Sequence, residues 1–314
     1  MKKNLLCFSL TCIFMLTNLG AQAQSKKKPG KPTKQTSNSQ RFSTEMSLPQ
    51  ILEKAEPVVE NKLNGQINWT EQYVEAKGES VIDNERFKNP AQARAMATRG
   101  AVVVAQRNLL EIINGVHIVG ETTVEDMIAT SDKIQSRVDG VIKGAIQVGD
   151  AVVKDGLVTV TMRVPLYQKN GLAPAVYEEV EKVVEKEYKV EETPVVVQEP
   201  VTAKDTAEFK QFAFRINGKK VEPSMFPIVS DEKGNVLLDY SKLYDPKKGD
   251  FPKYLQLSKD ILETTGFKKG VQVIDLIQGQ DGKLVVSEEV KKKINWSKVG
   301  NVLSKIGKVA LMLL

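Results

Sequence analysis

The sequence has 314 residues, 41% of them hydrophobic, and this length allows about two domains. Its 45 basic and 39 acidic side chains leave a net charge of +6, with the basic excess concentrated near the two ends of the chain. Aromatic residues make up only 6% and do not interleave with the basic clusters, which argues against a nucleic-acid-binding protein.

Residues 1–23 have the pattern of a secretory signal peptide. Lys2 and Lys3 form a charged start, residues 5–16 are mostly apolar, and residues 21–23 (Ala-Gln-Ala) form a small-x-small cleavage site. The apolar run is too short to span a bilayer as a stable helix, so an uncleaved anchor is the weaker alternative. We therefore predict export, to the periplasm or in association with the outer membrane.

Both cysteines, Cys7 and Cys12, lie inside this signal. The mature chain is therefore predicted to contain no disulfide and no thiolate site. A lipoprotein signal places its cysteine after a complete apolar core, whereas apolar residues still follow Cys12. The chain is not predicted to be a lipoprotein by its own signal.

Residues 24–65 are predicted to be a basic disordered spacer followed by a short helix. Lys, Ser, Thr, Gln and Pro dominate residues 24–45, which have too little apolar surface to offset the entropy of ordering. Ser47 and Pro49 resemble the beginning of a helix, and Pro57 is expected to bend or end it.

Residues 66–168 are predicted to form an α+β domain, in which one long helix packs on an antiparallel sheet. Asn89 and Pro90 suit the beginning of a helix over residues 90–114, and Gly115 suits its end. Its predicted buried stripe, with alanines that allow close packing, consists of Ala97, Ala101, Ala105, Leu109 and Ile113.

Strands and short helices are predicted around this helix. Residues 67–82 form one extended run before it, and residues 116–119 a brief strand after it. Helical turns are expected from Thr122 or Thr123 and from Ser131, the latter ending at Gly140. The predicted closing hairpin has a first strand marked by Ile142, Ile146 and Val148, a turn at Asp155-Gly156, and a second strand with Val158, Val160, Met162 and Val164 on one face.

Two further regions follow. Residues 169–206 are predicted to be an acidic Pro/Val linker that contains a short amphipathic helix over residues 174–188. Residues 207–290 are predicted to be a second small, mostly β domain. Its three turn signals are residues 217–218, 231–234 and 280–282, and residues 254–262 are its helix candidate.

Residues 291–314 are predicted to form a basic amphipathic helix. Apolar residues recur at intervals of three and four, with lysines on the opposite face. The predicted membrane or partner contacts are Trp296, Lys298, Val299, Leu303, Lys305, Ile306, Lys308 and Leu313. Such a helix binds an anionic membrane surface or a partner protein. The equally weighted alternative is a helix that packs on its own second domain.

Several spaced motifs within residues 66–167 occur in the order found in a known family: Tyr73-Val-Glu-Ala-Lys-Gly78, Ala93-Arg-Ala-Met-Ala97, Ala105-Gln-Arg-Asn-Leu-Leu-Glu111 and Val164-Pro-Leu166. On these residues the chain resembles the LPP-type twenty-kilodalton lipoprotein family and, more distantly, the N-terminal domain of flagellar assembly protein T. Residues 216–234 resemble the C-terminal module of larger proteins of that family. The resemblance implies a bacterial envelope protein without catalysis. Lipid attachment does not carry over, because this chain lacks a suitable cysteine.

The residues give little sign of enzyme chemistry, and no enzyme, cofactor or metal site is predicted. The only histidine, His117, follows a helix end and is interpreted as structural or exposed. The acids at turns, Asp231, Glu232, Asp245 and Asp250, do not have calcium-loop spacing and are interpreted as solvated. Arg94, Arg99 and Arg107 on the long helix are either a charged binding stripe or, preferably, a solvated face.

Two functions are compatible with these features. The first is a non-catalytic envelope protein with a structural or assembly role, whose partners are envelope proteins of unknown identity and an anionic membrane surface. The alternative is a periplasmic ligand- or glycan-binding module, with a groove lined by Trp69, Tyr73, Tyr240 and Tyr244.

Overall fold

A computed structural model shows how these segments assemble. It describes residues 44–46, 50, 53–188, 211–217, 222–256, 265–267, 271–279, 282–300 and 310–313. The spacer prediction for residues 24–43 lies outside this part, as do residues 47–49 of the predicted short helix. The two predicted domains share one compact unit, Phe42–Leu314.

Helix α1, Pro90–Asn114, is confirmed at both ends. The Asn89 side chain accepts hydrogen bonds from the backbone N–H of Ala91 and Gln92, at 2.9 and 3.4 Å. The predicted stripe is buried, and the complete buried row is Ala93, Ala97, Ala101, Ala105, Leu109, Ile112 and Ile113. Small side chains along this row let the helix backbone approach the sheet closely.

The sheet under α1 is antiparallel. Its strand order is β3 (Val59–Lys62), β4 (Gly65–Asn68), β5 (Tyr73–Val81), β10 (Leu157–Pro165) and β8 (Ile146–Gln147), with β9 (Val152–Lys154) also beside β10. Gly78 on β5 lies against α1, where a Cβ atom would come within 2.2 Å of the Ala101 carbonyl oxygen. Only glycine fits there without moving the helix.

Three predictions for this sheet need correction. The single first strand is two, β4 and β5, because the chain turns between them at Gln72, whose φ is +61°. Ile142 belongs to a helix, so the strand before the hairpin is limited to Ile146–Gln147 and Val152–Lys154. The end of the predicted spacer is also ordered, since β3 pairs with β4. The Asp155-Gly156 turn itself is confirmed.

Three helices complete the first half of the unit. Strands β6 (His117–Val119) and β7 (Thr122–Thr123) pair after α1, and Thr123 caps α2 (Val124–Thr130) in a capping box with Asp126. Helix α3 (Asp132–Lys143) runs through Gly140 and ends at Gly144, contrary to the prediction, because Ile142 continues its buried face.

Helix α4, Leu172–Glu187, corrects the linker prediction. The helix itself was predicted from its apolar spacing. Its apolar face is buried, however, and comprises Leu172, Ala173, Ala175, Val176, Val180 and Val184. A linker helix does not bury such a face, so α4 belongs to the core of the first half. The remaining linker residues 189–206 lie outside the described residues.

The second half is a mixed eight-stranded sheet, which confirms the β-rich prediction. Its strand order is β13 (Val236–Asp239), β12 (Ile228–Asp231), β17 (Leu284–Val286), β16 (Val271–Gln278), β11 (Gln211–Asn217), β18 (Ala310–Leu313), β14 (Lys253–Gln256) and β2 (Glu56–Pro57). Elsewhere β1 (Thr44–Met46) pairs with β15 (Thr265–Phe267). The helix predicted over residues 254–262 is wrong at its beginning, which is β14.

The C-terminal helix prediction is wrong for its last part. Helix α5, Glu288–Lys293, ends at Ile294, and a further helical stretch covers residues 296–300. Ala310–Leu313 form β18, which pairs in parallel with β11 on one side and β14 on the other. A short apolar run has the same pattern at a helix end and in an interior strand, so periodicity alone did not separate the two.

Candidate functional site

Helix α1 packs on the inner face of the first sheet, and among the described residues the outer face, which we call the open face, is the more exposed side. At its centre, the Arg163 Nε–H donates to Glu75 at 2.9 Å, and the Arg163 guanidinium carbon lies 3.8 Å from the centroid of the Tyr73 ring. The Tyr73 hydroxyl accepts from the side-chain amides of Gln66 and Asn68, each at 3.4 Å. Neighbouring strands thus fix a flat polar platform, Tyr73, Glu75 and Arg163, on the open face.

An apolar corner, Val81, Val152 and Leu157, lies on the same face. Val81 of β5 pairs with Leu157 of β10. Val152 of β9 pairs with Thr159, which is the next residue of β10 on the same face as Leu157. Val81 is 69% exposed and Val152 is 62% exposed. Ile146, opposite Arg163, is 58% exposed. The open face therefore joins an ordered polar centre to exposed β-branched side chains.

A polar cleft lies at the other edge of the sheet, between the β3–β4 hairpin and the second half of α1. Its volume is about 650 Å³, and its lining includes Lys62, Asn64, Lys77, Glu79 and Asn108. The Asn108 side-chain amide donates to the Lys77 carbonyl oxygen at 2.6 Å and fixes one wall. Leu63, at the hairpin tip, is 94% exposed. Amides, lysines and carboxylates together offer hydrogen bonds to a polar ligand.

The groove predicted from aromatic residues does not form, because three of the four side chains belong to the core. Trp69, Tyr240 and Tyr244 are at most 4% exposed, and only Tyr73 reaches the open face. Burial raises the pKa of the Tyr240 phenol well above its ordinary value, so this side chain stays neutral. Sequence pattern could not distinguish packing from ligand contact for these rings.

Five rings join the two halves in what we call the aromatic seam: Tyr167, Tyr177, Phe226, Tyr244 and Phe251. Tyr167 stacks on Phe251 with ring centroids 4.4 Å apart, and Phe226 meets Phe251 edge to face at 5.6 Å. The Tyr167 hydroxyl donates to the Met225 carbonyl oxygen at 2.8 Å. The Tyr244 hydroxyl donates to the Tyr167 carbonyl oxygen at 2.7 Å. The seam is a packed joint between the halves.

The predicted contact residues of the tail are not brought together as one exposed helical face. Val299 is fully buried, and Trp296 packs against the core. Lys298 is half-buried, and Leu313 belongs to β18. Leu303, Lys305, Ile306 and Lys308 lie outside the described residues. For Trp296 and Val299, the structure favours the alternative in which the tail packs on its own domain.

Asp231 corrects the prediction of a solvated turn. Its carboxylate is fully buried and accepts from Lys291 Nζ at 2.5 Å and from the backbone N–H groups of Lys233 and Asn235, both at 2.9 Å. Burial opposes the charged form, but these hydrogen bonds prevail and lower the pKa of Asp231 to about 2. The carboxylate therefore ties α5 to the β12–β13 turn.

The other candidate residues remain apart from one another. His117 is half-buried in β6, and its carbonyl oxygen accepts from the Met225 backbone N–H at 2.8 Å. The Asp245 carboxylate accepts from the Lys247 backbone N–H at 2.9 Å in an exposed turn. Glu232 and Asp250 are exposed. Within the described ranges, no cluster of three His, Cys, Asp or Glu side chains has the arrangement of a metal site.

No family model matches the chain, and none of the curated proteins matches it significantly. The resemblance to the LPP-type family stays a prediction. In the part of the chain that the structure describes, no helix combines the length and apolar character needed to cross a membrane.

Proposed function

We propose that this protein is an exported, non-catalytic component of a bacterial cell envelope, with a structural or assembly role performed through protein contacts. The observation that carries the proposal is the open face of the first sheet. Exposed Ile146 lies opposite Arg163 of the polar platform, which the Arg163–Glu75 pair holds, and exposed Val81 and Val152 lie at the far end of the same face. Apolar side chains rimmed by ordered polar groups are typical of protein interfaces.

The signal-like N-terminus supports export. The close packing of the two halves supports a role in which the open face is held rigidly. Strands β5 and β10 pair over nine residues each, and the aromatic seam fixes this sheet to the second half. A surface on paired strands is held more precisely than a surface on loops. The tail does not carry the proposal, because Ala310–Leu313 are engaged in the sheet.

Chemical cross-linking in cells tests this function, with the chain produced from its own N-terminus. We expect the wild-type protein in the envelope fraction, cross-linked to a reproducible envelope protein. Introducing acids on the open face, in a Val81→Glu, Val152→Glu double variant, should abolish that adduct because each carboxylate would have to be desolvated on contact.

The matched control is Ile277→Glu, which changes a side chain of similar exposure, 58%, on the second sheet. It should retain the adduct. Retention in the cytoplasm, or an adduct equally strong in the double variant, would show the proposal to be wrong.

The polar cleft favours a second candidate, a module that binds an envelope saccharide. Its test is a thermal-shift screen of soluble envelope saccharides, with Asn64→Ala, Lys77→Ala as the cleft variant. A saccharide that raises the Tm of wild type but not of this variant would support it. A uniformly unchanged Tm counts against it.

A further inference from the structure

The outward side of α1 carries an alternating apolar and cationic stripe. Met96, Arg99, Val103 and Arg107 follow at intervals of three and four, on the side turned away from the buried alanines, and all four are exposed. Met96 is 46% exposed and Val103 is 48% exposed. These two apolar side chains share one exposed face of the helix with the two arginines.

The guanidinium groups of this stripe are unengaged. Neither Arg99 nor Arg107 forms an ion pair with any residue that the structure describes, and Glu111, one turn beyond Arg107, does not pair with it. The described arginines outside α1 all have partners: Arg137 pairs with Glu178, Arg163 with Glu75 and Arg215 with Asp275, while Arg86 lies over the Phe87 ring.

Charge placement on α1 also departs from what would stabilise an isolated helix. Its first turn contains no acidic residue, and no Asp or Glu occurs from Pro90 to Leu110. Arg99 and Arg107 therefore have no acidic side chain one turn before them with which to pair along the helix. Their charges are available to a binding partner.

We propose that this stripe docks an acidic helical segment of a partner protein. Two carboxylates of the partner pair with Arg99 and Arg107, an apolar side chain between them packs on Val103, and another beyond the first carboxylate packs on Met96. The two arginines are eight residues apart, which is about 12 Å along the helix axis. A partner helix with Asp or Glu seven to eight residues apart matches this span. Arg and Met are enriched at protein interfaces.

The alternation on one face favours a protein over a membrane surface. A helix that lies in a lipid interface segregates its apolar side chains from its cationic side chains, on opposite faces. On α1, Arg99 and Arg107 alternate with Met96 and Val103 along one line, while the opposite side packs on the sheet. This docking surface is separate from the open sheet face and does not depend on it.

A photo-cross-linking experiment tests the proposal. The full chain with Cys7→Ser and Cys12→Ser receives one cysteine, Gln92→Cys, at an exposed site one turn before Met96. A benzophenone maleimide label on this cysteine is irradiated in an envelope extract, and the cross-linked peptide is sequenced by mass spectrometry. We expect a helical segment with two acids at the stated spacing. Arg99→Gln, Arg107→Gln should reduce its yield about tenfold.

The matched control is Arg94→Gln, an exposed arginine of the same helix outside the stripe. It should leave the yield unchanged, and equal Tm values for all variants would show that folding is intact. Three outcomes overturn the proposal: a yield that does not depend on Arg99 and Arg107, a cross-linked peptide without the acid pair, or lipid as the main adduct. If the open-face variants fail their test while the α1 variants give the expected result, only the proposal for the open face of the first sheet is overturned.

Discussion

The two halves of the molecule achieve close packing by different means. In the first half, the alanine row of α1 lies against Gly78 of β5, so that backbone approaches backbone. In the second half and at the joint, large rings interlock, as Phe226 does with Phe251 at 5.6 Å. The first kind of contact tolerates no added atom, whereas the second kind tolerates no lost one. Enlarging a side chain in the first half and truncating a side chain in the second half therefore test the two kinds of packing separately.

Gly78→Ala should have the largest effect. The new Cβ would lie 2.2 Å from both the Ala101 carbonyl oxygen and the Ala105 nitrogen, which are backbone atoms of a long helix. We expect a loss of about 4 kcal/mol in the free energy of unfolding, or failure to fold. Urea denaturation followed by circular dichroism measures it.

Gly140→Ala is the control, because a Cβ atom at this position inside α3 would have no neighbouring atom within 4 Å. Here alanine should stabilise the protein by up to about 1 kcal/mol. Equal losses for both glycines would contradict the close-approach argument.

Phe226→Ala tests the other kind of packing. Phe226 is fully buried and contacts other rings of the aromatic seam, so truncation should leave a cavity and cost about 3 to 5 kcal/mol. Phe87→Ala, in a half-buried loop position, should cost less than about 1 kcal/mol. If Phe226→Ala unfolds in two steps while the wild type and Phe87→Ala unfold in one, the aromatic seam couples the unfolding of the two halves. A change as small as that of Phe87→Ala would mean that it does not hold them together.

Asp231→Ala should follow, with a loss of about 3 kcal/mol, because Lys291 and the backbone N–H groups of Lys233 and Asn235 all lose this buried acceptor. The pKa of Asp231 is about 2 in the folded protein, below its ordinary value of 3.8. The carboxylate therefore stabilises the fold above pH 4, and this stabilisation is lost as the pH falls toward 2. Urea midpoints from pH 2 to pH 7 should show a smaller acid dependence for the variant. Parallel curves would refute the role of this group.

Glu178→Gln should have the smallest effect, although its environment superficially resembles that of Asp231. Arg137 and Lys133 lower the pKa of Glu178 to about 2 by hydrogen bonding, but the carboxylate lies in solvent. Exposed pairs contribute little and are screened by salt. The Tm difference from wild type should be small and vanish in 1 M NaCl. A salt-independent loss comparable to that of Asp231→Ala would contradict this view.

The first half was the more predictable because its signals are local. Asn89, Pro90 and the alanine row specify α1, and alternation from Val158 to Val164 specifies β10. The prediction that α3 ends at Gly140 was wrong, because the stability that one glycine costs a helix is smaller than the stability that the burial of Ile142 contributes. For α4, spacing indicated a helix, but only tertiary contacts show that its apolar face is buried.

The second half depends on pairings that sequence does not display. Strand β2 pairs with β14 across some 200 residues, and β18 enters between β11 and β14. The buried Asp231 carboxylate pairs with Lys291, which lies sixty residues later in the sequence, so its burial could not be predicted from the local turn pattern. The candidate surfaces were hardest to predict. Val81 and Val152 come onto one face, on either side of β10, only through the register of β5, β10 and β9.

The place of β18 has a consequence for biosynthesis. The eight-stranded sheet has β18 in its interior, yet β18 is the last of its strands to be synthesised. The sheet cannot be completed until β18 has left the ribosome, and until then the edges of β11 and β14 are unpaired and prone to non-native pairing. A chain shortened after Lys293 would keep those edges permanently. Its fate in the cell would report on quality control rather than on attachment to a membrane.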